Sequence, residues 1–331
     1  MKKVFLYNFD RVFLIFLLLV NLKDDEIVYI SYSDKKENLI KIKGEKIFIN
    51  KEKITASVFK RGEYIRKIRE KLMPIIKGIN DNKIILYGLD QYPMGNRIFY
   101  DVDINVIEEG TINYITYNKI TNIKRRIKNI ILKIFFLKER NEILGYGDKV
   151  KKIYLTENLC KEIPKGLEKK AEIINLKELW NKKCEEEKRI ILDTFNFNNE
   201  ILKKVDENTI MLFTQPLSED NVITEEEKVE LYSKILKKYD NQSIIIKPHP
   251  REKTDYSKYF PSCYVMKEKY PVEILELVGI NIKKTVTIFS SAAFGVGKNV
   301  EIDFYGTEIN DKIFNRFGTQ DSVMKRNAFL D

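Results

Sequence analysis

Ile244-Ile245-Ile246-Lys247-Pro248-His249-Pro250-Arg251 sets the terms on which this chain is understood. The β-branched apolar run predicts a strand buried in a parallel sheet. It stops at Lys-Pro-His-Pro-Arg, because proline lacks the N–H that a central strand needs and fixes its own φ. His249 therefore stands between two stiff residues at the carboxyl end of a strand, where open α/β sheets bind ligands. It is the only histidine in 331 residues. With a reference pKa near ~6.5 it is the side chain readiest to exchange protons near neutrality. Lys247 and Arg251 beside it suit a phosphate or carboxylate partner. The plain alternative is a structural loop histidine in a basic surface patch.

The flanking sequence has the same form. Thr209 to Phe213 is a predicted strand ending in the turn Thr214-Gln215-Pro216-Leu217. Thr224-Glu225-Glu226-Glu227 is a capping box that opens a helix to about Lys238. Pro271-Val272-Glu273 opens another helix, and Thr285 to Phe289 is a strand closing on Ser290-Ser291-Ala292-Ala293. Hydroxyls and N–H groups at such a strand-to-helix turn make a phosphate site; ordinary capping by serine is the alternative. The glycines there, Gly295 and Gly297, match neither a Walker A loop nor a dinucleotide fingerprint, which excludes ATPase and NAD readings. Nothing resembles a nucleophile elbow, so no Ser-His-Asp triad is expected.

Toward the amino terminus, Lys2 to Tyr7 is a predicted strand, and Asp10-Arg11 leads into nine apolar residues, 12–20. A signal peptide has this shape, but no small-residue cleavage site follows and the run is far short of the ~20 residues of a spanning helix. It is expected to be the buried first helix of a strand–helix–strand unit continuing into Glu26–Ile30, with a membrane anchor as the alternative. Residues 39–50 alternate like a strand or hairpin, a helix is expected from about Gly62 to Lys77 with a kink or end near Pro74, and Ile84–Gly88 is a strand. Val102, Ile104 and Val106 then alternate with Asp101, Asp103 and Asn105 and run into Glu108-Glu109-Gly110. Paired carboxylates at a strand end can supply a general base, the glycine leaving room for substrate, although a hairpin turn needs the same residues. Asp101-Val102-Asp103 imitates an Asp-x-Asp metal signature, but no further ligand lies near it. It reads as the solvated face of a strand, and no metal is expected.

From Lys119 to Arg140, isoleucines at 120, 123, 127, 130, 131 and 134 form one stripe among Lys124, Arg125, Arg126, Lys128 and Lys133. Such a helix lies on anionic lipid, or packs on a sheet with a solvated basic face. Val150–Leu155 and Ala171–Leu176 are the last predicted strands of the first half. The charged stretch from Lys177 to Phe195 holds the connection, giving domains 1–180 and 181–331. The formal charge of +10 points to an anionic partner: nucleic acid, a membrane face or a phosphorylated substrate. A hydrophobic fraction of 44% excludes a disordered chain. Cys160, Cys184 and Cys263, odd in number and far apart, exclude a disulfide framework or zinc site and suit a reducing cytoplasm.

Together these pieces resemble the bacterial lipooligosaccharide sialyltransferases, glycosyltransferase family 52, relatives of polysialyltransferases and of marine-type sialyltransferases. Those groups share an acidic-acidic-Gly motif, here Glu108-Glu109-Gly110, a His-Pro motif, here His249-Pro250, and a serine pair, here Ser290-Ser291. Thr214-Gln215-Pro216-Leu217, Gly145-Tyr146-Gly147-Asp148 and Ile153-Tyr154-Leu155-Thr156 also look like family segments. The likeness covers roughly residues 80–300. Tyr7-Asn8-Phe9-Asp10 departs from the family's Thr-Pro-Leu-Gln-like first turn.

The resemblance implies an α/β, GT-B-like fold: two Rossmann-like domains facing a central cleft. It implies inverting transfer from CMP-sialic acid to a sugar hydroxyl, galactose being the expected terminal sugar, with no cofactor and no metal. Glu109 would be the base, supported by Glu108 and Gly110. His249, with Ser290 and Ser291, would face the CMP phosphate. Lys247, Pro248, Thr214, Gln215 and Pro216 would line the nucleotide, Glu273 would accept its ribose hydroxyls, and Arg251 would support. The expected setting is a cytoplasmic enzyme held peripherally on the anionic inner membrane through about 119–140. Its acceptor would be a lipid-linked or surface glycan and nucleic acid would play no part; a homodimer is left open. Two rivals stand beside it: a same-fold hexosyltransferase, and a non-catalytic basic protein that docks on lipid or nucleic acid.

Overall fold

The computed structural model describes residues 1–32, 39, 41–114, 138–206, 208–239, 242–297 and 300–319. The amphipathic stretch at 119–140 therefore lies outside the described residues except for 138–140. The chain forms two compact units, Met1–Phe195 and Asn196–Asp331.

The first unit carries seven strands: β1 Lys2–Tyr7, β2 Ile27–Tyr32, β3 Glu45–Ile49, β4 Ile84–Gly88, β5 Ile104–Ile107, β6 Val150–Thr156 and β7 Ala171–Ile174. They lie in the order β3-β2-β1-β4-β5-β6-β7, and every neighbouring pair is parallel. A central parallel strand must be covered on both faces, and all six residues of β2 are buried. The apolar run after β1 forms helix α1, Asp10–Leu19, in which Val12 to Leu18 are buried. Its Phe16 ring stacks 4.3 Å from Phe5 and Phe13 meets Tyr29 edge-on at 5.8 Å. Each such side chain contributes roughly 1.5–3 kcal/mol by burial, so the run is held by the sheet as a crossover helix. Among the described residues no helix is long and apolar enough to cross a membrane.

After β3 come α2, Lys51–Thr55, and α3, Val58–Lys71; α4, Met73–Asn80, then restarts with Pro74 in its first turn. Proline there lacks only an N–H that has no helical partner anyway, so the expected kink becomes a clean break. The alternation at Val102–Val106 is real in burial, but strand pairing starts only at Ile104. Asp101 precedes it, held by both terminal nitrogens of Arg69 at 2.7–3.0 Å. Helices α5, Leu176–Asn181, and α6, Glu185–Thr194, occupy the expected connection. They belong to the first unit: Glu187 accepts from the Leu22 N–H at 3.0 Å and Lys183 bonds the Val20 carbonyl. The first unit thus ends at Phe195 and not at 180.

The second unit repeats the plan with β8 Ile210–Phe213, β9 Ile244–Lys247, β10 Tyr264–Val265, β11 Lys284–Thr287 and β12 Glu301–Phe304. The order is β10-β9-β8-β11-β12, again all parallel. Its helices are α7 Glu225–Leu236, α8 Tyr256–Tyr259, α9 Glu273–Leu277 and α10 Asp311–Phe317. The capping box opens α7 as expected: Thr224 Oγ1 accepts from the Glu227 N–H at 3.2 Å and Glu227 accepts from the Thr224 N–H at 2.9 Å. In both sheets the strand order reverses beside the first strand, between β1 and β4 and between β8 and β11. A doubly wound sheet opens its ligand crevice at that switch point, outside the carboxyl ends of the strands.

Candidate active site

In the second unit the crevice is edged by the ends of β9, β8 and β11, which are neighbours in that order. From them come Lys247-Pro248-His249, Thr214-Gln215-Pro216 and Ser290-Ser291, so the predicted nucleotide residues share one sheet edge. His249 is half-buried, and its Nδ1 accepts the Arg251 N–H at 3.2 Å. Burial, and then the Arg251 charge, hold the imidazole below its ordinary pKa, against a smaller pull from Asp220 and Glu219. With Nδ1 accepting, Nε2 carries the proton of the neutral ring.

Ser290 is buried and makes no side-chain capping bond, so ordinary capping is not its work. Its N–H donates to Thr287 Oγ1 at 2.8 Å, and that hydroxyl donates to the Phe213 carbonyl at 3.2 Å, tying β11 to β8 across the switch point. The buried Glu273 opens α9 against the short turn Ser291–Gly295. A Cβ placed on Gly295 would sit 2.7 Å from Glu273 Oε1, so only glycine lets the carboxylate approach the serine turn this closely.

The other predicted residues make internal contacts. Lys247 directs its ammonium to the Glu268 carbonyl and lies 5.8 Å from the Tyr270 ring centre. Burial brings its pKa down to about 8, with Glu268 opposing. Arg251 grips Asp220 with both terminal nitrogens, at 2.6 and 2.9 Å. Thr214 is buried and gives its hydroxyl to Glu252, and the Gln215 N–H donates to Tyr232 Oη at 2.7 Å. These contacts tie the groups into the sheet edge. Glu252 itself, with Lys228 behind it, was not singled out from sequence. The available signal was a carboxylate three residues beyond the histidine in a proline turn.

In the first unit the two carboxylates of Glu108-Glu109 part company. Glu108 is fully buried and accepts from Arg11 Nη2 at 2.6 Å, Thr156 Oγ1 at 2.6 Å, the Thr156 N–H at 2.9 Å and the Tyr114 hydroxyl. It joins α1, β5 and β6 as a structural hub. Glu109 is half-exposed, with Oε2 held by the Gln91 amide and Oε1 by the Tyr92 hydroxyl, each at 2.6 Å. Burial and then the Glu109 contact push the Tyr92 phenol well up, so it remains a donor. Phe9, exposed at the end of β1, meets Tyr92 edge-on at 5.1 Å. Gly145 and Leu144 N–H groups anchor the Gly-Tyr-Gly-Asp segment to the buried Asp90 at 2.9 and 2.8 Å, a structural role. Asp103 pairs with Lys151 at 3.0 Å, and no cluster of potential metal ligands occurs among the described residues.

The model of glycosyltransferase family 52 matches residues 10–313. An uncharacterised protein of Haemophilus influenzae is 39% identical over 259 residues, covering 77% of this chain and 80% of that protein. Among solved structures, the GT-B domain of a sialyltransferase from Photobacterium damselae superposes with a TM-score of 0.59 at 12% identity, over 90% of this chain and 89% of that one. An α/β-galactoside α-2,3-sialyltransferase from Photobacterium phosphoreum gives 0.60 at 12% identity, over 100% and 96%. At that identity the two structures speak for the fold, which is GT-B. With the family match running through both units and both motif-bearing sheet edges, this chain belongs to glycosyltransferase family 52 and is a glycosyltransferase.

Proposed function

We propose that the enzyme transfers sialic acid, with inversion, from CMP-sialic acid to a hydroxyl of a terminal sugar such as galactose on a bacterial lipooligosaccharide or capsule glycan. The observation that carries this is the sole histidine, its Nδ1 occupied by the Arg251 N–H so that Nε2–H is the ring's donor, on the β9 end one strand away from the Thr214 turn and two from Ser290. A leaving phosphate gains charge as the bond to the sugar breaks, and preorganised neutral donors stabilise that charge without changing protonation state. His249 Nε2–H and the Ser290 and Ser291 hydroxyls are those donors. Glu273 takes the ribose hydroxyls.

At the other end of the reaction Glu109 removes the acceptor's hydroxyl proton. The Gln91 and Tyr92 bonds hold its carboxylate in one orientation and leave lone pairs for that proton. The new bond joins acceptor oxygen to the anomeric carbon, and the electron pair of the broken bond departs with CMP. The reading requires Glu109 and the phosphate donors to reach opposite sides of that carbon, with water kept out. It needs no metal ion; loss of activity in EDTA with recovery on Mn²⁺ would overturn that part.

The decisive assay incubates purified protein with CMP-sialic acid and a panel of galactosides. Acceptor-dependent CMP release with a sialylated product supports the reading. Release of UDP from UDP-glucose or UDP-galactose, with none of CMP, would assign a hexose donor instead. We further propose that Lys124, Arg125, Arg126 and Lys128 draw the enzyme to the anionic inner face of the membrane, at about 1 kcal/mol per residue near the surface. Reversing all four to Glu should abolish binding to anionic vesicles while sparing a soluble acceptor; unchanged vesicle binding would refute it.

A further inference from the structure

The turn that carries His249 is closed from within by one residue. The Glu252 N–H donates to the His249 carbonyl at 2.9 Å, making His249-Pro250-Arg251-Glu252 a hydrogen-bonded β-turn with proline at its favoured second position. The Glu252 side chain then reaches back, and its Oε2 accepts the His249 N–H at 2.6 Å. That same oxygen takes the Thr214 hydroxyl from the end of β8, and Oε1 takes the Tyr256 hydroxyl of α8 at 2.6 Å. The side chain is fully buried, and so is its neighbour Lys228, whose Nζ lies 3.7 Å from Glu252, 3.0 Å from Glu219 and 3.1 Å from Glu225.

A buried carboxylate is costly, and burial raises its pKa; the hydrogen bonds and Lys228 offset that cost. A turn on the surface needs no such device. The groups gathered here are the ends of β8 and β9, two of the three strands that edge the crevice, and the backbone of the one histidine.

We propose that Glu252 is the positioning residue for His249, setting the turn so that Nδ1 receives the Arg251 N–H and Nε2 is left to donate to a phosphate. The second half rests on the sialyltransferase reading; the link from Glu252 to the imidazole does not. Acceptor capacity at Glu252 is what matters. Gln keeps an oxygen for the His249 N–H and can donate its amide to the Tyr256 oxygen. Met fills the same volume and accepts nothing useful, while Lys228 keeps Glu219 and Glu225 as partners.

The test uses the full chain labelled with [¹⁵N]histidine, whose one imidazole needs no assignment. Wild type and Glu252→Gln should show the Nε2–H tautomer, and Glu252→Met a mixture of both. Transfer by Glu252→Gln should stay within a few-fold of wild type, while Glu252→Met should lose about tenfold or more, the scale of a misplaced catalytic group. Added to His249→Ala, Glu252→Met should cost less than twofold further, since its effect runs through the imidazole. A merely structural Glu252 would instead slow His249→Ala as much as wild type, and that overturns the proposal. So does a pure Nε2–H tautomer in Glu252→Met. Should the Met variant not fold, Glu252→Ala takes its place, since it removes the same acceptors: folded protein that keeps a pure Nε2–H tautomer refutes the link. If no variant, nor wild type, turns over CMP-sialic acid, the donor reading fails while the imidazole signals still judge Glu252.

Discussion

Glu108 in the first unit and Glu252 in the second are both fully buried carboxylates at the carboxyl edge of a parallel sheet, and each lies close in sequence to a residue with a proposed part in the reaction. Their surroundings differ. Glu108 has a cation in direct contact, Arg11 at 2.6 Å, and bonds that span α1, β5 and β6. Glu252 sees Lys228 only at 3.7 Å, an ammonium that already has two nearer carboxylates, and its own bonds go to neutral donors at two strand ends. The first holds a unit together; the second shapes one turn. Adjacent residues at a strand end point to opposite sides, so Glu108 enters the interior and Glu109 faces the Gln91–Tyr92 loop. An acidic pair in sequence is thus not a pair in function.

The largest effect expected from this contrast is on stability. Glu108→Ala leaves Arg11 without its buried partner and should cost about 3–5 kcal/mol of unfolding free energy. Glu109→Gln, at a half-exposed site, should unfold close to wild type. Urea titrations of the two variants measure this. Equal midpoints for Glu108→Ala and wild type would erase the distinction.

Activity should divide the other way. Glu109→Gln keeps the shape and one acceptor oxygen but not the proton acceptor, so transfer should fall by roughly 10² or more while CMP affinity stays normal. His249→Ala, and Ser290→Ala combined with Ser291→Ala, should reduce transfer and weaken CMP binding together. Steady-state transfer and CMP titration on folded protein separate the classes; a Glu109→Gln enzyme with near-full transfer removes Glu109 as base.

Much of the fold was legible because parallel strands announce themselves as short β-branched runs. Ile244–Lys247 ends where its prolines say it must, and the Thr224 box opens α7. The 12–18 run also yields to simple length, being too short to span and long enough to cover Phe5 and Tyr29. The site was legible only as residue types at strand ends. Which of two glutamates is buried depends on Arg11, 97 positions away, and Lys247 is drawn to the carbonyl that Glu268 offers. Those partners are brought together by tertiary structure, and no local pattern encodes them. Glu252 lay within reach of local reasoning, since a carboxylate at the fourth position of a His-Pro turn can cap the first N–H.

The smallest predicted effect bears most directly on where the phosphate binds. In the free protein, burial and Arg251 hold His249 below the ordinary value of ~6.5, so its signals should titrate with a midpoint under that value. A phosphate at Nε2 favours the charged ring, so saturating CMP should move the midpoint upward. Linkage gives the sign for affinity: the complex binds the proton more tightly than free protein, so CMP binding strengthens as pH falls through the window between the two midpoints. Each unit of rise is worth about tenfold, ~1.4 kcal/mol. The phosphate of CMP titrates in the same range, and His249→Ala run in parallel removes that contribution. A midpoint that does not move when CMP is bound would place the phosphate away from His249. Loss of CMP affinity in the double serine variant, beside an unmoved midpoint, would then assign the phosphate to the β11 turn alone.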